Sequence, residues 1–207
     1  GPRQYAAIDP IHQHTLGHID SLISRDLTLE ALSLARQLNH EAHERKNIEL
    51  RYRIYPLFTK LFTQRNDISA AALNIKKTIE ANKMRQQPDN PAMLFCSLFD
   101  YTASYNGRDT MLTAYLDSAM HHAVTSREKC EVYLRLAAYN GIRRDSTAFS
   151  AYHSLYKAAC RDTLKDSRLL SPRIIPTTTK KIATLVAAMD GIFSGDMDPI
   201  GGTKSSK

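Results

Sequence analysis

This chain has no tryptophan, only three cysteines, and no apolar run that approaches the roughly 18 residues a membrane-crossing helix needs. Each scarcity excludes something. Direct insertion into a bilayer is not expected. Cys96, Cys130 and Cys160 are odd in number and lie 30 or more residues apart, whereas a disulfide framework wants an even count and close spacing. They are expected to be free thiols inside helices, where a small thiol behaves as a buried hydrophobe. That tilts toward a reducing compartment. Eight glycines and eight prolines are few for an all-β protein of 207 residues. Glycine-rich phosphate loops and the Gly-x-Ser-x-Gly elbow are both missing. No catalytic residue, cofactor or metal is therefore assigned, and the chain is expected not to be an enzyme.

Its apolar fraction of 43% and charged fraction of 24% are those of a globular protein with a core. The net charge of +7 is concentrated: residues 127–181 carry 12 Lys/Arg against 5 Asp/Glu, which alone accounts for +7. No basic run exceeds two residues, so a solvated helix face explains this balance better than a phosphate-binding surface. Gly1-Pro2 resembles the scar of a removed tag. The natural protein is expected to extend further in the N-terminal direction, which leaves the compartment, cytoplasmic or periplasmic, undecided.

A short motif recurs four times: Ser24-Arg25-Asp26, Arg65-Asn66-Asp67, Gly107-Arg108-Asp109 and Arg143-Arg144-Asp145, with aspartates 41, 42 and 36 residues apart. Each separates two stretches of helical apolar periodicity, and a period in this range marks a solenoid of stacked helical hairpins. First helices are expected around 10–24, 47–64, 91–106 and 127–142, and second helices around 27–44, 68–85, 110–125 and 146–160. Asp26, Asp67, Asp109 and Asp145 stand where N-caps of the second helices are needed. Ala31, Ala72 and Ala114 would let paired helices approach, and Leu32, Leu73 and Tyr115 would fill the gap to the next unit. In the fourth unit the pair slips to Ala151 and Tyr152. Pro56 should either bend the helix that contains it or mark its true start. The fold class is thus all-α: an α-solenoid of about four helix-turn-helix repeats over residues 3–170, a connector and apolar C-terminal helix over 171–194, and a flexible tail over 195–207. Ile182, Leu185, Val186, Met189, Ile192 and Phe193 form an apolar stripe expected to cap the last hairpin or to pair with a second copy in a homo-oligomer.

Leu136-Ala137-Ala138-Tyr139-Asn140-Gly141 with Asp145, and Asp67 with Ala72-Leu73, resemble the small-residue and turn features of tetratricopeptide-like repeats. The last unit, Asp145-Ser146-Thr147-Ala148-Phe149 through Asp162-Thr163-Leu164-Lys165-Asp166-Ser167, also resembles the final repeat in sensor regions of bacterial membrane-bound regulators. The first resemblance implies a scaffold whose first helices line a concave, protein-binding surface. The second implies a ligand-sensing region cut from a membrane-anchored signalling regulator.

Within the first helices, tyrosines and arginines cluster, and both are enriched at interface hot spots. Arg51, Tyr52, Tyr55, Tyr101, Tyr105, Arg135 and Tyr139 are the candidate partner-binding residues; Arg53 and Tyr133 lie beside them. The leading expectation is a module that binds a peptide, a helix or a protein. A ligand-sensing role is the alternative, and nucleic-acid binding through Arg135, Arg143, Arg144, Lys157, Arg161 and Lys165 is a third. Histidines offer weak metal spacing at His14/His18, His40/His43 and His121/His122, better read as solvated or hydrogen-bonded helix residues.

Overall fold

The computed structural model describes residues 8–166 and 177–195; the expected connector at 171–176 and the tail beyond 195 lie outside them. The described residues form nine helices: α1 (Pro10–Ser24), α2 (Thr28–Glu44), α3 (Ile48–Gln64), α4 (Ile68–Met84), α5 (Ala92–Tyr105), α6 (Leu112–His122), α7 (Ser126–Ile142), α8 (Ser146–Asp166) and α9 (Thr177–Phe193). The chain is all-α, and helices next to each other in sequence pack together, an arrangement compatible with a helical-repeat fold. It divides into two compact units, Gly1–Tyr115 and Leu116–Lys207, with the division inside α6.

In the first unit α1 packs on α2 and α3, α2 on α3, α3 on α4, and α4 on α5. Its largest core joins Ile19, Leu22 and Ile23 of α1, Ala31, Ala35 and Leu38 of α2, and Leu50, Ile54, Phe58 and Leu61 of α3. Leu50, Ile54 and Leu61 expose nothing, and their spacing keeps them on one helical stripe. Pro56 does not start the helix; it sits within α3 on the exposed side, so the hydrogen bond its ring removes lies toward water.

Helix ends α1, α2, α3 and α7 share one solution. Asp26, Lys46, Asn66 and Arg144 adopt positive φ of 61°, 51°, 57° and 60°. After each, a backbone N–H reaches back to the last turn: Leu27 to Leu22 O at 2.9 Å, Asn47 to Ala42 O at 2.9 Å, Asp67 to Phe62 O at 2.8 Å and Asp145 to Asn140 O at 3.0 Å. These are Schellman closures made without glycine.

Three expectations need correction here. Asp26 is not an N-cap: it is the left-handed residue itself, and Leu27 stands at the cap of α2 with no side-chain bond. Its counterpart in the other turns is Asn66 or Arg144, one place before the aspartate. Asp67 and Asp145 do cap, accepting from the N–H groups of Ala70 at 3.2 Å and Ala148 at 3.0 Å, and Asp109 accepts from Met111 just ahead of α6 at 2.8 Å. Ala31 and Ala72 are buried as close-approach residues, but Ala151 is exposed, and Leu73 is 50% exposed rather than filling a gap. Leu32 and Tyr115 are buried as expected, whereas Leu73 lies off the stripe of α4 that Ala71, Ala72, Ile75 and Ile79 bury.

In the second unit α7 packs on α8, and α9 lies against both. A capping box starts α7: Thr125 Oγ1 accepts from Glu128 N at 3.1 Å, and the Glu128 carboxylate accepts from Thr125 N at 2.9 Å. Val186 and Met189 of α9 bury against Leu134, Ala137 and Ala138 of α7 and Phe149 of α8, with Ile182 and Phe193 at the margin. Part of the apolar stripe of α9 is therefore covered by the last hairpin of its own chain, while Leu185 stays 42% exposed. Gly141 permits this approach, because a Cβ there would run into the Met189 sulfur and the Phe149 ring.

Candidate functional site

The partner-binding candidates divide between the units: five in the first, Arg135 and Tyr139 in the second. In the first unit they belong to α3 and α5, and α3 is tied to flanking helices by polar side chains. Lys60 Nζ donates to Asp20 of α1 at 2.9 Å, Gln64 Nε2 donates to Ile23 O at the end of α1 at 2.7 Å, and Thr63 Oγ1 donates to the Tyr101 hydroxyl of α5 at 3.2 Å.

Tyr52 is the centre of a locked cluster. Its hydroxyl donates to Asp89 Oδ2 at 2.9 Å, and the Arg85 guanidinium lies 4.0 Å from the ring centroid. Arg85 also bonds Glu49 through Nε at 3.0 Å and Asp89 through Nη1 at 2.9 Å. Asn82 closes the loop after α4, donating to Asp89 O at 2.8 Å and accepting from Asp89 N at 2.9 Å. The Tyr52 hydroxyl, followed by Arg85, holds the Asp89 carboxyl below its ordinary range. Burial, followed by the bond to Asp89, raises Tyr52 above the ordinary phenol value.

Tyr55 is buried, only 4% exposed. Its hydroxyl accepts from Arg51 Nε at 3.1 Å and Nη2 at 2.9 Å and lies 3.3 Å from His43 Nε2. Burial, then repulsion from Arg51, Lys77 and His40, depresses the His43 pKa below the ordinary imidazole value. Tyr101 is half-buried and Tyr105, at the end of α5, is 46% exposed.

In the second unit Arg135 is 3% exposed and bonds Glu131 Oε2 at 2.6 Å, with Thr179 of α9 donating to the same oxygen at 3.0 Å. Its charge is used inside the protein, which removes it from any surface that could meet phosphates. Arg143 stacks on Tyr139, its Cζ 3.5 Å from the ring centroid. The side chain of Lys165 lies outside the described residues. An open cleft at the start of α8 and the end of α9 is lined by Ser146, Thr147, Ser150, Asp190 and Phe193.

Sequence reasoning missed Glu49, Asn82, Arg85 and Asp89. The signal lay in Arg85 and Asp89, four residues apart beside Pro88 and Pro91, between the second and third expected hairpins. His12 is buried against Glu41 at 3.2 Å, His40 pairs with Glu44 at 3.1 Å, and His121 and His122 meet edge to face. Among the described residues no three His, Cys, Asp or Glu side chains converge as a metal site would require. Compared with known proteins, the chain matches no family model, no curated protein and no solved structure.

Proposed function

We propose that this chain is a divergent tetratricopeptide-like helical-repeat module that binds a protein or peptide segment without transforming it. The observation that carries the reading is that α1 and α3, the first helices of two successive hairpins, pack on each other as well as on α2 and α4, and that α3 is hydrogen-bonded to α5. The links from Lys60 to Asp20 and from Thr63 to Tyr101 support a layer of first helices lying side by side. In a solenoid that layer is the partner-facing one.

On this layer the residues divide by role. Tyr55 and Arg51, with His43 of α2, tie α3 to the second helix of the preceding hairpin, while Tyr52, with Arg85 and Asp89, fixes the edge of the layer. Arg53 and Tyr105 are exposed, and Tyr101 half so; these three are the surface a partner would meet. An exposed tyrosine loses little freedom on binding and carries both an apolar ring and a hydroxyl, as interface anchors do.

The test is site-specific photo-crosslinking in the source cell, with the reactive group at position 53 or 105 and a control at Leu155 on α8. A protein crosslinked from positions 53 and 105, and lost with Tyr101→Ala, is the expected result. Failure to capture any protein from these positions, or equal capture from 155, removes the proposal.

A further inference from the structure

Two cysteines that look unrelated in sequence meet in the fold. Cys130 lies 15 residues before Asp145 and Cys160 lies 15 residues after it. Asp145 closes the turn between α7 and α8, so equal distances along two antiparallel helices, about 22 Å each at 1.5 Å per residue, bring the two positions opposite each other. Their sulfurs stand 2.7 Å apart, and both residues are half-buried rather than sealed. That separation is only about 0.7 Å longer than a disulfide bond. It is well inside the roughly 3.5–4.0 Å at which even smaller carbon atoms rest against one another. Cys96, in contrast, is fully buried in the other unit.

We propose that Cys130 and Cys160 form a reversible redox site that reacts with small-molecule disulfides and closes as an intramolecular bridge. One protein thiolate attacks a sulfur of the small disulfide, which breaks its S–S bond and releases one small thiol. The second protein thiolate then attacks the mixed disulfide, forming the Cys130–Cys160 bond and releasing the second small thiol. The protein loses two electrons and two protons, and the small disulfide gains them. Burial, followed by the hydrogen bond with Cys160, holds Cys130 protonated well above the ordinary thiol range. Closure is therefore slow at neutral pH and accelerates as pH rises. The bridge would fasten α8 to α7 across a 30-residue loop and restrict the unfolded chain.

The test is incubation of the reduced full chain with oxidised glutathione at pH 8.5. Intact mass should fall by about 2 Da as two hydrogens leave. Thiols titrated after denaturation should fall from three to one, and peptide mapping should place the survivor at Cys96. Cys96→Ser should still close, Cys160→Ser should not, and the closed form should melt several degrees higher than the reduced one. Retention of all three thiols, or stable glutathione adducts on both Cys130 and Cys160 without closure, would overturn the proposal.

Discussion

Arg135 and Glu131 stand one helical turn apart on α7 with almost no exposure, and each satisfies the other. Removing one member of such a pair leaves the second charge without its counterion in a poor solvent, which costs about 3–5 kcal/mol. Arg135→Met is thus expected to lower the urea midpoint sharply, and Glu131→Gln combined with Arg135→Met to recover part of the loss. A single substitution that leaves the midpoint unchanged would mean the pair carries no such role. At Asp89 the effect is smaller and pH-dependent. Its carboxyl titrates lower in the folded chain than in the unfolded one, so it contributes stability above about pH 4 that is lost as pH falls through the folded pKa. Tyr52 titrates higher when folded, and its contribution is lost as pH rises beyond about 10. Asp89 is largely exposed, which limits the gain to about 1 kcal/mol or less. Asp89→Asn should destabilise the chain at pH 7 and approach the wild type near pH 2, as read by denaturant titration at both values.

At the scale of helices and turns, four chain reversals use a left-handed residue that is not glycine. Holding an L-residue there costs about 1–2 kcal/mol, while glycine costs about 0.4–1 kcal/mol through the looser unfolded chain. Arg144→Gly should therefore raise the melting temperature slightly, by the equivalent of about 0.5–1 kcal/mol; a lower melting temperature would show that the arginine side chain contributes more than its backbone costs. Helix α9 offers a larger effect. Without residues 171–207, Leu134, Ala138 and Phe149 would lose the cover of Val186 and Met189, each worth about 1.5–3 kcal/mol when buried. The truncated chain should melt well below the full one, and unchanged melting would deny α9 its role as cap. The helices themselves were legible in the sequence, because apolar spacing, Asp67 and Asp145 all mark their bounds. The turn chemistry was not. The aspartate repeats at three turns by capping, but what unites the reversals is backbone geometry at Asp26, Lys46, Asn66 and Arg144, residues with nothing in common in charge or size. The candidate site was legible only as a collection of tyrosines and arginines. Which of them turn inward, as Tyr55 and Arg135 do, depends on packing between helices that periodicity alone does not orient.

Within each unit, helices next to each other in sequence pack together. In the first unit α3 is held by α1, α2 and α4 and linked to α5, while among the described residues α1 packs on α2 and α3. Hydrogen exchange should accordingly be slowest in α3 and faster in α1, and equal protection of the two would contradict a graded unit. The Schellman closures after α1, α2 and α3 have left-handed residues at 26, 46 and 66, a step of 20 residues, or one helix and its turn. Each closure draws only on the last turn of the helix that precedes it, so none waits for chain that follows. During synthesis α1 and α2 can close against each other before α4 has left the ribosome, and within the first unit α3, α4 and α5 each arrive at a helix already in place. Such a chain has short-range contacts to form, little loop entropy to overcome, and few moments at which an unfinished apolar face must meet another molecule.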